Sequence, residues 1–345
     1  MPTALEHPEV AVLRQALKSE NIGVEWLAGD GSDRRYFRIT DFAKNTTYVL
    51  MQLSGTDAVA LKAGSYDWLS IEKILTTHHI TCPRPIISLP HHAAIIIEDY
   101  GNVMLETAVL RAKDAKIENL YQSCFLMIAK FLEIEQDTSA IWCQRSFDQA
   151  RFEWELQFFK QKFLVNLLKI SFSAEQDDKF ARDVQSISHY LAQFSHYFTH
   201  RDFHSRNLMV VNDQVAVIDF QDARLGPPAY DLVSLCYDSY VPFEKNDRKN
   251  LLEMALQVIG KNSAKTALEI VSQAAPTLLQ RQLKAIGSFA YLSLDKNRGN
   301  YLKYVVPALE TLTEVYDKRW PFLSRELLDL MMDSWAIHLN SLKKV

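Results

Sequence analysis

One change of pattern governs what this chain is able to fold into. Up to about residue 98 it is written in short strand-like runs, at 24–27, 36–39, 47–53, 86–89 and 93–97, bounded by turn-forming residues. Lys44-Asn45 reads as a hairpin turn, and Gly29-Asp30-Gly31-Ser32-Asp33 as a stronger one. Helical patterns interrupt this part over 1–21, with Val10, Leu13 and Leu17 on one side, and over 64–79. After Glu98-Asp99-Tyr100-Gly101 the period changes. Leu120, Cys124, Met127, Phe131 and Ile134 recur at three and four, and similar patterns continue over 148–168, 173–197 and from Pro228 onward. Two short apolar runs, 208–211 and 215–218, flank an Asn212-Asp213 turn. The pattern predicts an α+β chain: a small β-rich lobe over 1–98, a hinge over 99–103 and a large helical lobe over 104–345.

The length of 345 residues fits two lobes better than one core. Hydrophobic residues at 48% and charged residues at 23% argue against long disorder. A net charge of −4 gives no basic excess for nucleic acid or an anionic membrane surface. No apolar run approaches the roughly 18 residues of a membrane span, and no secretory leader is visible. Cys82, Cys124, Cys143 and Cys236 are scattered without metal-binding spacing, as in a reducing compartment. A cytoplasmic protein with a small-molecule substrate and no obligate protein partner is expected.

The chemistry concentrates in His200-Arg201-Asp202-Phe203-His204-Ser205-Arg206-Asn207 and, twelve residues after the asparagine, Asp219. Phosphoryl transfer from ATP needs Mg²⁺ to neutralise phosphate charge, and Mg²⁺ prefers a few hard oxygen ligands. A carboxylate and an amide oxygen supply them, while a second carboxylate meets the attacking hydroxyl. Asp202, Asn207 and Asp219 provide such a set on two loops braced by apolar strands.

These two segments resemble the catalytic and metal-binding loops of the aminoglycoside phosphotransferase and choline kinase superfamily, whose fold is protein-kinase-like and two-lobed. Gly226-Pro227-Pro228-Ala229-Tyr230-Asp231-Leu232 fits the same pattern. Within the superfamily, the chain is most similar to the sugar kinases of bacterial cell-wall recycling, which act on the anomeric hydroxyl of N-acetylmuramate and N-acetylglucosamine. That likeness rests on the catalytic loop, on Ser32-Asp33-Arg34-Arg35-Tyr36-Phe37-Arg38, on Asp219-Phe220-Gln221-Asp222-Ala223 and on Gln282-Leu283-Lys284-Ala285-Ile286-Gly287-Ser288-Phe289.

The resemblance implies ATP and Mg²⁺ as cofactors, Asp202 as the group facing the acceptor hydroxyl, and Asn207 and Asp219 as metal ligands. It places Gly31 and Ser32 in the loop over the phosphates, with Arg35 and Arg38 following, and Glu98 and Tyr100 in the segment that meets adenine. His204 and Arg206 either touch substrate or brace the loop. Asp222 is expected near substrate or metal, Arg224 near a substrate carboxylate, and Asp231 either capping its helix or bonding to the catalytic loop. His200 reads as structural. One departure is plain: the third strand, Tyr48-Val49-Leu50-Met51-Gln52-Leu53, lacks the phosphate-binding lysine usual in this fold. An arginine of the Arg-Arg-Tyr-Phe-Arg segment is the candidate replacement. Rival readings are an aminoglycoside kinase, a choline-like kinase with an aromatic cage, and a nucleotide-binding pseudokinase.

Overall fold

The computed structural model describes residues 7–29, 34–111 and 114–342. The chain divides into two compact units: Met1–Val103 with Met209–Gln221, and Met104–Leu208 with Asp222–Val345.

The first unit is built on five antiparallel strands, β1 (Ile22–Gly29), β2 (Arg35–Asp41), β3 (Thr46–Gln52), β4 (Pro85–Leu89) and β5 (Ala94–Glu98), in the order β1-β2-β3-β5-β4. Helix α1 (His7–Leu17) ends at Lys18, whose φ of 51° is left-handed. Its Leu13 and Leu17 pack with Phe37, Ile39, Leu50, Ala94 and Ile96 in one apolar cluster. Leu50 and Met51 on β3 are both buried, as are Ile95, Ile96 and Ile97 on β5. Successive strand residues face opposite sides, so these central strands are covered on both faces.

Two helices lie between β3 and β4, where the sequence pattern predicts one. Helix α2 (Gly55–Ala63) stops at Gly64, whose φ of 75° is the left-handed cap that glycine adopts without strain. Helix α3 (Asp67–Thr77) buries Trp68, Ile71 and Leu75. Tyr66, at its N-cap, reaches the Met51 sulfur.

Helices α4 (Leu105–Arg111), α5 (Asp114–Glu133), α6 (Gln149–Phe159) and α7 (Ala174–Ala192) open the second unit. The stripe Leu120, Cys124, Met127, Phe131 on α5 is buried, as its spacing requires. A wider helical turn over Lys160–Leu167 extends α6. Strand β6 (Tyr197–Thr199) then leads into the catalytic loop. The hairpin β7 (Leu208–Val211) and β8 (Gln214–Val217) follows, closed by Asn212 and Asp213 with φ of 50° and 59°. Those two positive values are what a tight two-residue hairpin loop demands. Val210 N–H donates to the Val103 carbonyl and Val217 N–H to that of Thr81, so this hairpin groups with the first unit although its sequence lies far downstream.

Strand β9 (Arg224–Gly226) pairs antiparallel with β6. A Cβ on Gly226 would stand 2.4 Å from Thr199 Oγ1, so only glycine fits against β6 there. Helices α8 (Tyr230–Cys236), α9 (Lys245–Asn262), α10 (Ala264–Leu294), α11 (Val305–Leu312) and α12 (Leu327–Leu342) complete the unit. Helix α10 runs 31 residues and buries side chains around much of its circumference, as a central helix must. At Gly287 its backbone approaches α6 so closely that a Cβ would meet the Phe159 Cα at 2.6 Å. This contact fixes the height of α10 one turn from Lys284.

Candidate active site

The loop over residues 200–207 in the second unit is held by two buried carboxylates. Asp231, buried in the first turn of α8, accepts from the backbone N–H of His200 at 2.6 Å and of Arg201 at 3.0 Å. Of its two expected roles, bonding to the loop is the one observed. Arg201 has a φ of 85°, a left-handed conformation that costs a non-glycine residue about 1–3 kcal/mol. The two bonds that Asp231 accepts offset that cost, though burial raises its carboxyl to about 7. Asp238 takes the Ser205 N–H at 2.8 Å. Within the loop, His204 N–H donates to the Asp202 carbonyl and Asn207 N–H to that of His204.

Asp202 meets a partner that its local sequence does not announce. Lys284, from α10, donates to its Oδ1 at 2.7 Å, and the Arg201 Nε stands 3.8 Å from Oδ2. Burial by itself would raise the carboxyl, but Lys284, then Arg201 and His204, together hold it well below the ordinary carboxylate value of 3.8. Such a carboxylate is ionised throughout the neutral range and is a weak base. A carboxylate of this kind is suited to orienting a hydroxyl rather than to removing its proton in advance. Because the folded-state value is depressed, the stability from Asp202 is present above 3.8 and is lost as pH falls through the folded-state value. Lys284→Met removes the largest opposing charge, so burial dominates. The acid limb of the pH–rate profile is expected to move to higher pH; an unmoved limb in a folded variant shows that Lys284 does not tune Asp202.

Asn207 donates Nδ2 to the Asp202 carbonyl at 3.0 Å. That bond uses the amide nitrogen; the amide oxygen is the atom a hard cation would take. In the first unit, Asp219 follows β8 with a φ of 61°, again a left-handed, non-glycine position. Gln221 Nε2 donates to its Oδ1 at 2.7 Å. Arg34 stands near it, with Nη1 3.9 Å from Asp219 Oδ1, while its Nε binds Asp57 on α2 at 2.7 Å. The Arg34 side chain is only 12% exposed. It is therefore Arg34, rather than Arg35 or Arg38, that the fold sets beside the expected metal ligand.

The other expected residues are placed as follows. Arg38 grips Asp99 with two bonds of 2.6 and 2.9 Å and reaches the Gly101 carbonyl and Asn102 Oδ1. It ties β2 to the hinge segment. Arg35 lies exposed at the start of β2, with its guanidinium carbon 6.0 Å from the ring of Phe37, two residues on along the same face. Glu98 accepts from Arg84 and from the Tyr100 hydroxyl, which also donates to the Cys82 carbonyl. Gly31 and Ser32 lie outside the described residues. Among the described residues no three His, Cys, Asp or Glu side chains group as a metal site. One carboxylate with an amide oxygen still suits Mg²⁺, which completes its shell with phosphates and water.

His204 packs edge-on against Tyr240 at 5.1 Å, and burial pushes its ring down to about 3, against an ordinary 6.5. It is neutral at working pH, and acidification below 6.5 opposes its burial. Arg206 binds Glu106 through two bonds of 2.9 and 2.8 Å and lies over the Tyr240 and Tyr304 rings at 4.0 and 4.8 Å. That engagement braces the loop, the second of the two roles open to it. Asp222 accepts from Arg201 Nη1 at 2.9 Å and is 53% exposed. Arg224 is nearly buried; its Nε donates to the Asp222 carbonyl at 3.2 Å. Sequence reasoning named neither Lys284 nor Asp57 as a site residue. The signal for the first was the 282–289 segment, whose likeness to the sugar kinases carried no stated role.

A unit of five antiparallel strands with an Asp-bearing hairpin, and a helical unit carrying an Asp-Asn loop, are the marks of a phosphotransferase of protein-kinase-like fold. Two solved structures share it: aminoglycoside phosphotransferase APH(2'')-Ib with ADP bound has a TM-score of 0.60 at 16% identity, covering 89% of this chain and 98% of that one. Choline kinase from Cryptosporidium parvum has a TM-score of 0.58 at 12% identity, covering 92% and 98%. Residues 24–266 match the phosphotransferase enzyme family (APH), and the chain belongs to it. Among curated relatives, the N-acetylmuramate/N-acetylglucosamine kinase of Neisseria meningitidis serogroup B is 26% identical over 312 residues, 88% of each chain. The kinase of the same name from Pseudomonas putida is 24% identical over 296 residues, covering 85% of this chain and 83% of that one. No described helix is long and apolar enough to cross a membrane.

Proposed function

We propose that this protein transfers the γ-phosphoryl group of ATP to the anomeric hydroxyl of N-acetylmuramate or N-acetylglucosamine, in the cytoplasm, where ATP is available. The observation that carries the reading is Asp202, ionised and aimed by Lys284 in a loop anchored by Asp231. The names of the curated relatives supply the acceptor. The anomeric oxygen attacks the γ-phosphorus, the bond from phosphorus to the β–γ bridging oxygen breaks, and the proton passes to Asp202. An anomeric hydroxyl is more acidic than other sugar hydroxyls, so a weakly basic carboxylate suffices. Most of the acceleration then comes from in-line positioning and charge.

Asp219 and the Asn207 amide oxygen would hold Mg²⁺, which when bound neutralises phosphate charge. Arg34 would take the part of the lysine absent from β3, with Asp57 as its helical carboxylate partner. A charge-assisted bond to phosphate contributes about 1.5–3 kcal/mol, so Arg34→Met is expected to raise KM for ATP about tenfold or more, with Arg34→Lys recovering part of it. An unchanged KM would reduce Arg34 to a tether for α2.

The acceptor is tested by ADP release with N-acetylmuramate, N-acetylglucosamine, kanamycin and choline. Turnover with the two amino sugars and not with the cationic acceptors is the expected result. Preference for kanamycin or choline, or no Mg²⁺-dependent turnover at all, overturns the proposal.

A further inference from the structure

A second basic site lies in the helical unit, outside the catalytic loop. A cavity of about 460 Å³ is walled by Arg145, Ser146, Asp148, Arg151, Trp154 and Arg224, among others. Its frame is rigid. Phe147 N–H donates to the Leu225 carbonyl at 2.8 Å and Leu225 N–H to the Arg145 carbonyl at 3.0 Å, which stitches residues 145–147 to β9. Arg145 and Arg224 thus come from two segments locked together, and Arg151 from the first turn of α6 beside them.

Of the carboxylates nearby, Glu155 pairs with Arg151, while no described carboxylate side chain bonds to Arg224. Asp148 caps α6 by accepting the Arg151 N–H at 2.7 Å. Glu155 is 1% exposed and shared between Gln280 and Arg151 Nε, at 3.0 and 3.3 Å. Asp222 binds Arg201. Arg224 is 9% exposed, its guanidinium lies 5.3 Å from the Phe147 ring, and its one bond to a backbone group is neutral. Burial first, and then Arg201 and Arg151, lower the Arg224 guanidinium to about 10. A nearly buried cation among other cations is a place that an anion stabilises. The cavity is also tied to the chemistry: Arg224 bonds to Asp222, Asp222 to Arg201, and Arg201 lies beside Asp202.

We propose that this cavity receives a carboxylate substituent of the acceptor sugar, so that the enzyme selects acidic amino sugars over neutral ones of the same ring. The inference rests on the sugar-kinase reading above and adds the determinant of selectivity to it. N-acetylmuramate and N-acetylglucosamine are the natural pair of probes, since they differ by a lactyl ether that carries a carboxylate.

The test is kcat/KM for both sugars in the wild type, in Arg224→Met and in Arg151→Gln. Arg224→Met is expected to lower the N-acetylmuramate to N-acetylglucosamine ratio at least tenfold, through KM for the acid, and Arg151→Gln to lower it several-fold. Arg151 is partly exposed, so its variant remains informative if Arg224→Met does not fold. A ratio unchanged in folded Arg151→Gln and Arg224→Met, or loss by the same factor for both sugars, overturns the inference alone. A wild type that phosphorylates neither sugar overturns the sugar-kinase reading, and the inference with it.

Discussion

Asp202→Asn is expected to lower kcat by about 10²–10⁴-fold, the range for loss of a positioned proton acceptor. An amide keeps the shape of the side chain but neither accepts a proton nor balances Lys284 and Arg201. Those cations then lack their carboxylate, so a loss of a few degrees in Tm accompanies the kinetic loss. The two effects separate in the double variant Asp202→Asn with Lys284→Met. Removing the stranded ammonium is expected to recover much of the Tm and none of the turnover. If turnover returns with stability, Asp202 holds the loop together and does not act on the acceptor.

Asp219→Asn is the second large effect. Asparagine tolerates the left-handed conformation found at Asp219, whereas alanine would add strain of its own there. The substitution therefore removes charge with little change of backbone. Turnover is expected to fall by a factor of 10² or more, on the order of 3 kcal/mol of lost charge stabilisation, and the Mg²⁺ concentration for half-maximal rate to rise. Near-normal turnover at ordinary Mg²⁺ would place the metal elsewhere.

Much of this was legible in the sequence because the chemistry constrains residue type and spacing. The Asp-Asn loop, the apolar strands around Asn212-Asp213 and the carboxylate after them form one local pattern, and they fold locally as a loop and a hairpin. The sheet was legible because alternation and β-branched runs mark its strands. Long-range partners were not. Lys284 is 82 residues from Asp202, and Glu106 is 100 residues from the Arg206 it binds. Neither distance leaves a periodic trace. Strands β6 and β9 have three residues each, too short to alternate visibly. Helix α2 was hidden because its pattern runs on toward α3 with only Gly64, Ser65 and Tyr66 to divide them. The three neighbouring arginines were equivalent on paper, and pairing made them different. Arg34 meets Asp57, Arg38 meets Asp99, and Arg35 faces solvent.

The account depends on one cation held by Asp219 and Asn207 beside bound nucleotide. Mn²⁺ in place of Mg²⁺, titrated against a non-hydrolysable ATP analogue and followed by electron paramagnetic resonance, tests it directly. The wild type is expected to bind Mn²⁺ only with nucleotide present. Asp219→Asn and Asn207→Leu are each expected to weaken that binding at least tenfold while the fold persists. Undiminished Mn²⁺ affinity in both folded variants would contradict the account.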